Sequence, residues 1–209
     1  MFDANKALSL TANILPEEDL QAMMAYPAGL FANSTAEPVT FWTCACTHPR
    51  WEKKFSDFLR GRQMGHFLPL YAHETFSGRK RRICWLPLFP GYVFVQGRHS
   101  KTDFLAGDMV VRVLQPEGER QMQRLHADLW SIWRCLVSGV RLEPVEAPAL
   151  GEWCRIIAGP LCGLEGLYTR AGQHGKLVLN VEMLGMGAWV EVEAGSVKPI
   201  PGLRNPPPP

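Results

Sequence analysis

"PLFPGYVFV", residues 87–95, poses the question on which the fold turns. Its apolar density reads as a buried strand, yet Pro90 and Gly91 interrupt it. Proline has no N–H to give to a ladder, and glycine weakens a strand unless something must approach it closely. Side chains alternate along a strand, so Tyr92 and Phe94 point one way and Val93 and Val95 the other. Both faces are apolar, and both need cover from the chain or from a partner.

The flanking sequence supplies a sheet for this strand. "TFWTCACT", residues 40–47, is β-branched, aromatic and Cys-rich, and reads as a strand. Pro49 then suits the first turn of a helix over 49–62, whose apolar stripe is Trp51, Phe55, Phe58 and Leu59. "HFLPLYAHE", 66–74, is a second strand, "TFSGRKRR", 75–82, a polar loop, and 82–95 a long third strand. "SKTDFLAG" gives a helical turn and "MVVRVL" a fourth strand. A helix over 119–137 follows, lined by Met122, Leu125, Leu129, Ile132 and Leu136 and broadened by Trp130 and Trp133. The order β-α-β-β-α-β-α predicts an α+β sandwich over 39–140, with the two longer helices against an antiparallel sheet.

Residues 1–38 read as a flexible leader with one transient helix, in which Leu20, Met23 and Met24 share a side. Residues 141–149, with Pro144 and Pro148, read as a linker that leaves the flanking domains free to move. From 150 to 201 the texture changes to short strands, "WCRIIAG", "LEGLYT", "KLVLNVEML", "AWVEVE" and "SVKPI", with a hairpin turn at Gly185-Met186-Gly187. That is the pattern of a small β-barrel, and it suits a helix poorly. Residues 202–209 are a Pro-rich tail.

Bulk properties exclude several classes. The 209 residues are 46% apolar with a net charge of +2, too little to grip nucleic acid by bulk charge. No apolar run approaches the roughly 18 residues of a membrane span, and the start lacks the basic flank of a secretory signal. A cytoplasmic protein with reduced thiols is expected. The six cysteines form no C-x-x-C. Cys44 and Cys46 share one strand face and read as small buried hydrophobes rather than as a metal pair. The six histidines are scattered, and no metalloprotease, P-loop or nucleophile-elbow motif is present. Neither catalysis nor a cofactor is expected.

Two motifs then converge. "FPGYVFV" follows the strand–helix unit opened by "FWTCACTHPRWEKK", and "GEWCRIIAGPLCGLEG" precedes the strands of the expected barrel. Together they resemble the NusG family of transcription elongation factors: an NGN domain carrying F-P-G-Y-V, then a KOW domain with its G-P-F-x-G-x-x-G turn. The short first domain and "HPRWEKK" resemble the specialised RfaH-like paralogues more than the general factor. Two positions depart from the family pattern: Phe41-Trp42 stands where W-Y is common, and Leu161 replaces the usual Phe.

The resemblance implies an elongation or antitermination factor whose first domain docks on RNA polymerase through an apolar depression. Trp42, Ala45, Phe89, Pro90, Tyr92 and Phe94 would line it, with Tyr92 open between this role and the core. Gly159, Pro160, Gly163 and Gly166 build the KOW turn, and an exposed Leu161 would meet a ribosomal protein or a termination factor. Residues around the first helix, His48, Arg50 and Arg60, would meet the displaced non-template DNA strand. Arg79, Lys80, Arg81 and Arg82 read most simply as a solvated hairpin tip, and more sharply as a contact to DNA. The rival reading is an RNA-binding or ribosome-associated KOW protein without polymerase function. Within this family an RfaH-type second domain refolds as a helical hairpin; the strand alternation of 150–200 predicts strands here instead.

Overall fold

A computed structural model describes residues 17–31, 41–77, 80–104, 108–145, 151–171 and 174–200, in two units. The first holds α1 (Glu17–Met24), β1 (Ala25–Tyr26), β2 (Trp42–Thr47, whose first residue, Trp42, groups with the second unit), α2 (Glu52–Gly61), β3 (His66–Phe67), β4 (Leu70–Ser77), β5 (Lys80–Pro87), β6 (Tyr92–Gln96), a 3-10 turn (Lys101–Phe104) and β7 (Val110–Leu114). Five strands form one sheet in the order β1-β3-β6-β2-β7, while β4 and β5 pair only with each other. The apolar stripe of α2 narrows to Phe55 and Leu59, both fully buried. "HFLPLYAHE" splits into β3 and β4 around Leu68-Pro69, since Pro69 cannot continue the ladder.

The leader is not a loose tail over its described part. Met24 is fully buried and its C=O accepts the Leu68 N–H at 2.7 Å. Strand β1 pairs antiparallel with β3, and Phe31 meets Phe67 edge-on at 5.0 Å between centroids. Two apolar side chains find partners far along the chain, a signal too sparse to show as periodicity. Residues 1–16, 32–40 and 201–209, which hold the rest of the leader and the tail, lie outside the described residues.

The second unit holds α3 (Gly118–Val137), β8 (Leu142–Val145), β9 (Glu152–Ile156), β10 (Glu165–Ala171), β11 (His174–Val181), β12 (Met186–Glu193) and β13 (Val197–Pro199). The strands form one antiparallel sheet in the order β13-β9-β10-β11-β12-β8. The chain is therefore α+β, with a β-rich C-terminal part. The turn expected at 185–187 lies earlier: a 3-10 turn, Glu182–Leu184, and the left-handed Gly185 make the connection, and Met186 and Gly187 already pair in β12 with Val181 and Asn180.

Helix α3 buries Met122, Leu125, Leu129, Ile132 and Cys135, spaced three or four apart. It ends at Gly139, whose φ of +68° lets the Val140 N–H reach back to the Cys135 C=O. This stripe packs on β11. That explains why β11 is buried on both faces, at Leu177, Leu179 and Val181 and also at Val178. The helix expected against the first sheet thus groups with the second.

The expected linker differs as well. Leu142–Val145 is a strand paired with β12, Pro144 lying opposite Ala188. Strand β8 is the edge of its sheet, the place where a proline's missing N–H costs no ladder bond. Pro148 lies outside the described residues.

Candidate functional site

The interrupted strand is two strands joined by a turn. Strand β5 ends at Pro87, and Leu88 donates to the Pro69 C=O at 2.8 Å. The Tyr92 N–H then returns to the Phe89 C=O at 3.1 Å. Pro90 in the second position and Gly91 in the third, with φ +83°, give this turn the features of type II. Gly91 is held from both sides: its N–H donates to Glu52 Oε1 at 2.7 Å, and its C=O accepts the Thr47 N–H at 2.8 Å. Glu52 stands in the first turn of α2, where the helix dipole favours a carboxylate. Pro-Gly therefore transfers the chain from the two-stranded β4–β5 hairpin into the five-stranded sheet, and pins the turn to β2 and α2.

Of the apolar residues expected at a partner surface, most lie inside. Phe94 and Ala45 are fully buried, and Phe89 and Trp42 nearly so. The Phe94 ring packs between Phe67 and Phe89, at 6.4 and 6.1 Å between centroids. Trp42 donates its indole N–H to His126 Nδ1 at 3.0 Å, and burial lowers the His126 pKa. Pro90 is exposed and Tyr92 half-buried, so these two carry what the turn presents to the outside.

Arg112, which the sequence did not single out, joins them. It is exposed on β7 opposite Cys46, and its guanidinium lies close to the Cys46 and Tyr92 side chains. Both thiols of β2 have their pKa raised, above all by burial. This fits apolar packing, and among the described residues no cluster of His, Cys, Asp and Glu could hold a metal.

The cations divide. His48 and Arg50 are exposed, His48 with its ring against Trp51 at 6.1 Å. Arg60 is not free to meet a nucleic acid: its guanidinium donates to the Ala22 C=O of α1. A cation over the carbonyls that end a helix is favourable, and here it fastens the leader. Arg81 pairs with Glu74, whereas Arg82 is exposed and has no acidic partner among the described residues. Lys80 begins β5, and Arg79 lies outside the described residues.

In the C-terminal part, Gly159 and Gly163 have φ of +81° and +89° and frame a turn closed by the Gly163 N–H on the Ile156 C=O at 2.8 Å. Leu161 was expected as an exposed tip. It is 5% exposed, because this turn folds its apolar side chain inward; Ile157, at 50%, is the exposed apolar residue beside it. Pro160 is exposed, and its C=O and that of Cys162 accept from Arg134 at 3.2 and 3.0 Å.

Asp128 of α3 accepts the Glu182 N–H at 3.3 Å and pairs with Arg124 at 3.2 Å. Burial pushes its pKa up to about 7, against the opposing pull of Arg124 and the Glu182 N–H. The folded chain thus keeps a proton that the unfolded chain loses near pH 4. The stability this contributes is full below about pH 4 and is lost as pH rises through 7. The urea midpoint should fall between pH 4 and 7 in the natural chain, and less so in Asp128→Asn. Parallel curves would mean that Asp128 stays charged throughout.

Among the described residues no helix is long and apolar enough to cross a membrane. No curated protein matches the chain. Residues 40–129 match the family model for NusG, described as transcription termination factor nusG. The match runs from just before β2 into α3 and includes the Phe89–Tyr92 turn. Residues 40–129 of the chain are thus similar to the NusG family of transcription factors.

Proposed function

We propose that the chain is a non-enzymatic, cytoplasmic elongation or antitermination factor that binds RNA polymerase through its NusG-type unit. Proteins of this family generally interact with RNA polymerase. The observation that carries the reading is the Phe89–Tyr92 turn, which lies within the matched residues and presents Pro90 and Tyr92 on a base fixed by Thr47 and Glu52. A rigid, amphipathic ring on a pinned turn is a good anchor for a partner. The exposed His48 and Arg50 are the side chains proposed to meet the non-template strand. The C-terminal strands, read as a KOW domain from 150 to 201, are proposed to bind a ribosomal protein or a termination factor. Ile157 replaces Leu161 as the apolar contact there.

The test is retention of the full-length chain on immobilised RNA polymerase. Tyr92→Ala should weaken it by about 2 kcal/mol, the scale of an interface anchor, at an unchanged melting temperature. Absence of retention, with binding to ribosomes instead, would favour the RNA-binding alternative.

A further inference from the structure

A cleft of about 490 Å³ lies among β9, β10, β13 and the 3-10 turn Ala194–Ser196 of the second unit. None of the side chains proposed above as partner contacts lines it. Register builds its walls. Glu152 pairs with Tyr168 and Cys154 with Gly166, so these four residues share one face of the sheet. Cys154 is buried there, and Glu152 is exposed two residues away. Gly166 has no side chain to fill the space beside Cys154, and Pro199 stands opposite Cys154 on the other flank. Gly195 leaves the opening clear, since a Cβ added to it would meet nothing within 4 Å. The surrounding backbone is pinned. The Ile157 N–H donates to the Ser196 C=O at 2.8 Å, and the Ile200 N–H to the Trp153 C=O at 2.9 Å. The Ser196 hydroxyl donates to the Glu193 C=O at 2.7 Å. A cleft held in this way is formed before any ligand enters.

Its chemistry selects a cation. Glu152 is the one acid among the lining residues, and no base lines the cleft. Among the described residues Glu152 has no ion-pair partner. Its carboxylate is close enough to the Cys154 thiol to add to the rise in pKa that burial causes there. Tyr168 contributes a ring fixed by packing. A Cβ at Gly175 would stand 2.2–2.3 Å from the far end of that ring, and the phenol hydroxyl is buried with no hydrogen-bond partner. We infer that the cleft binds an arginine side chain of a peptide segment from another protein, with Glu152 on the guanidinium and Tyr168 beside its plane. Guanidinium is the cation that both forks onto a carboxylate and stacks on an aromatic ring. Its alkyl stem suits the apolar wall of Val197 and Pro199. The volume falls within the roughly 300–1,000 Å³ of small-ligand sites, which leaves room for the residues that flank the arginine. The chain as a whole carries +2, so its net charge does not draw a basic peptide, and the attraction is local to Glu152.

The experiment follows fluorescence anisotropy as the full-length chain is added to a labelled Gly-Pro-Arg-Pro-Gly peptide, and to the same peptide with uncharged citrulline in place of arginine. Polymerase is absent, so the outcome is independent of the role of Tyr92. The arginine peptide should bind about ten-fold more tightly than the citrulline peptide, the scale of one charge-assisted contact. Glu152→Gln should remove that preference and leave the citrulline peptide unaffected. Tyr168→Leu should weaken binding, and Tyr168→Phe should retain it, because the hydroxyl makes no bond to lose. Gly195→Phe places a ring in open space and should block binding at an unchanged melting temperature. Equal affinity for the two peptides would mean an apolar occupant and would overturn the inference. So would undiminished binding in Gly195→Phe, which would place the peptide elsewhere, or the absence of binding by the natural chain.

Discussion

Phe94→Ala should destabilise the chain by about 3–5 kcal/mol, the usual cost of removing a fully buried ring that its neighbours cannot refill. The side chain has no exposure and is held by aromatic neighbours on two sides, Phe67 and Phe89. Phe67 in turn supports Phe31 of the leader, so the cavity would open beneath the segment that closes the edge of the sheet. Loss of polymerase binding in this variant should follow loss of fold, in contrast to Tyr92→Ala, which should lose binding alone. Melting temperature and polymerase retention, measured on both variants, separate the two roles. A Phe94→Ala protein with an unchanged melting temperature and weakened retention would place this ring at the interface after all.

Gly166→Ala should have an effect of similar size for a different reason. A Cβ at this position would stand 2.4 Å from the Val178 C=O and 3.1 Å from Leu177 Cγ. The first of these is backbone of the paired strand, so relief requires β10 and β11 to separate rather than a side chain to rotate. Overpacking of this kind costs about 1–3 kcal/mol, and more where backbone must move. Gly159→Ala is the matched control. There the space is open and only the positive φ opposes a side chain, at roughly 1–2 kcal/mol. Thermal unfolding of the two variants should rank Gly166→Ala as the more damaging. Equal losses would mean that backbone conformation, and not the close approach of β10 to β11, sets the requirement for glycine.

The order of elements was legible because alternation and helical spacing are local properties. Their partners were not. The stripe from Met122 to Ile132 announces a helix with one apolar side, but nothing in it says which sheet that side covers. Pro90-Gly91 looked like a bend in one long strand because both flanks are apolar; the turn depends on Thr47 and Glu52, some forty residues earlier. Pro144 read as a breaker because proline opposes a central strand, and it is tolerated at an edge. The family motif drew attention to this stretch but carried no information on which of its side chains face inward. Phe89 and Phe94 are as apolar as a docking surface requires, and as apolar as a core requires. Arg112 escaped notice because its importance comes from register with Cys46, which no linear pattern displays.

The distribution of thiols offers a practical handle. Cys44, Cys46, Cys135 and Cys154 are buried, and burial raises the pKa of each, which suppresses the thiolate that reacts with electrophiles. Cys84, on the hairpin, and Cys162, in the Gly159–Gly163 turn, are exposed. One accessible sulfur therefore stands in each unit of the unaltered chain. Brief treatment with a maleimide dye pair would mark these two sites without any substitution, and energy transfer between the dyes would follow the separation of hairpin and turn as polymerase or an oligonucleotide is added.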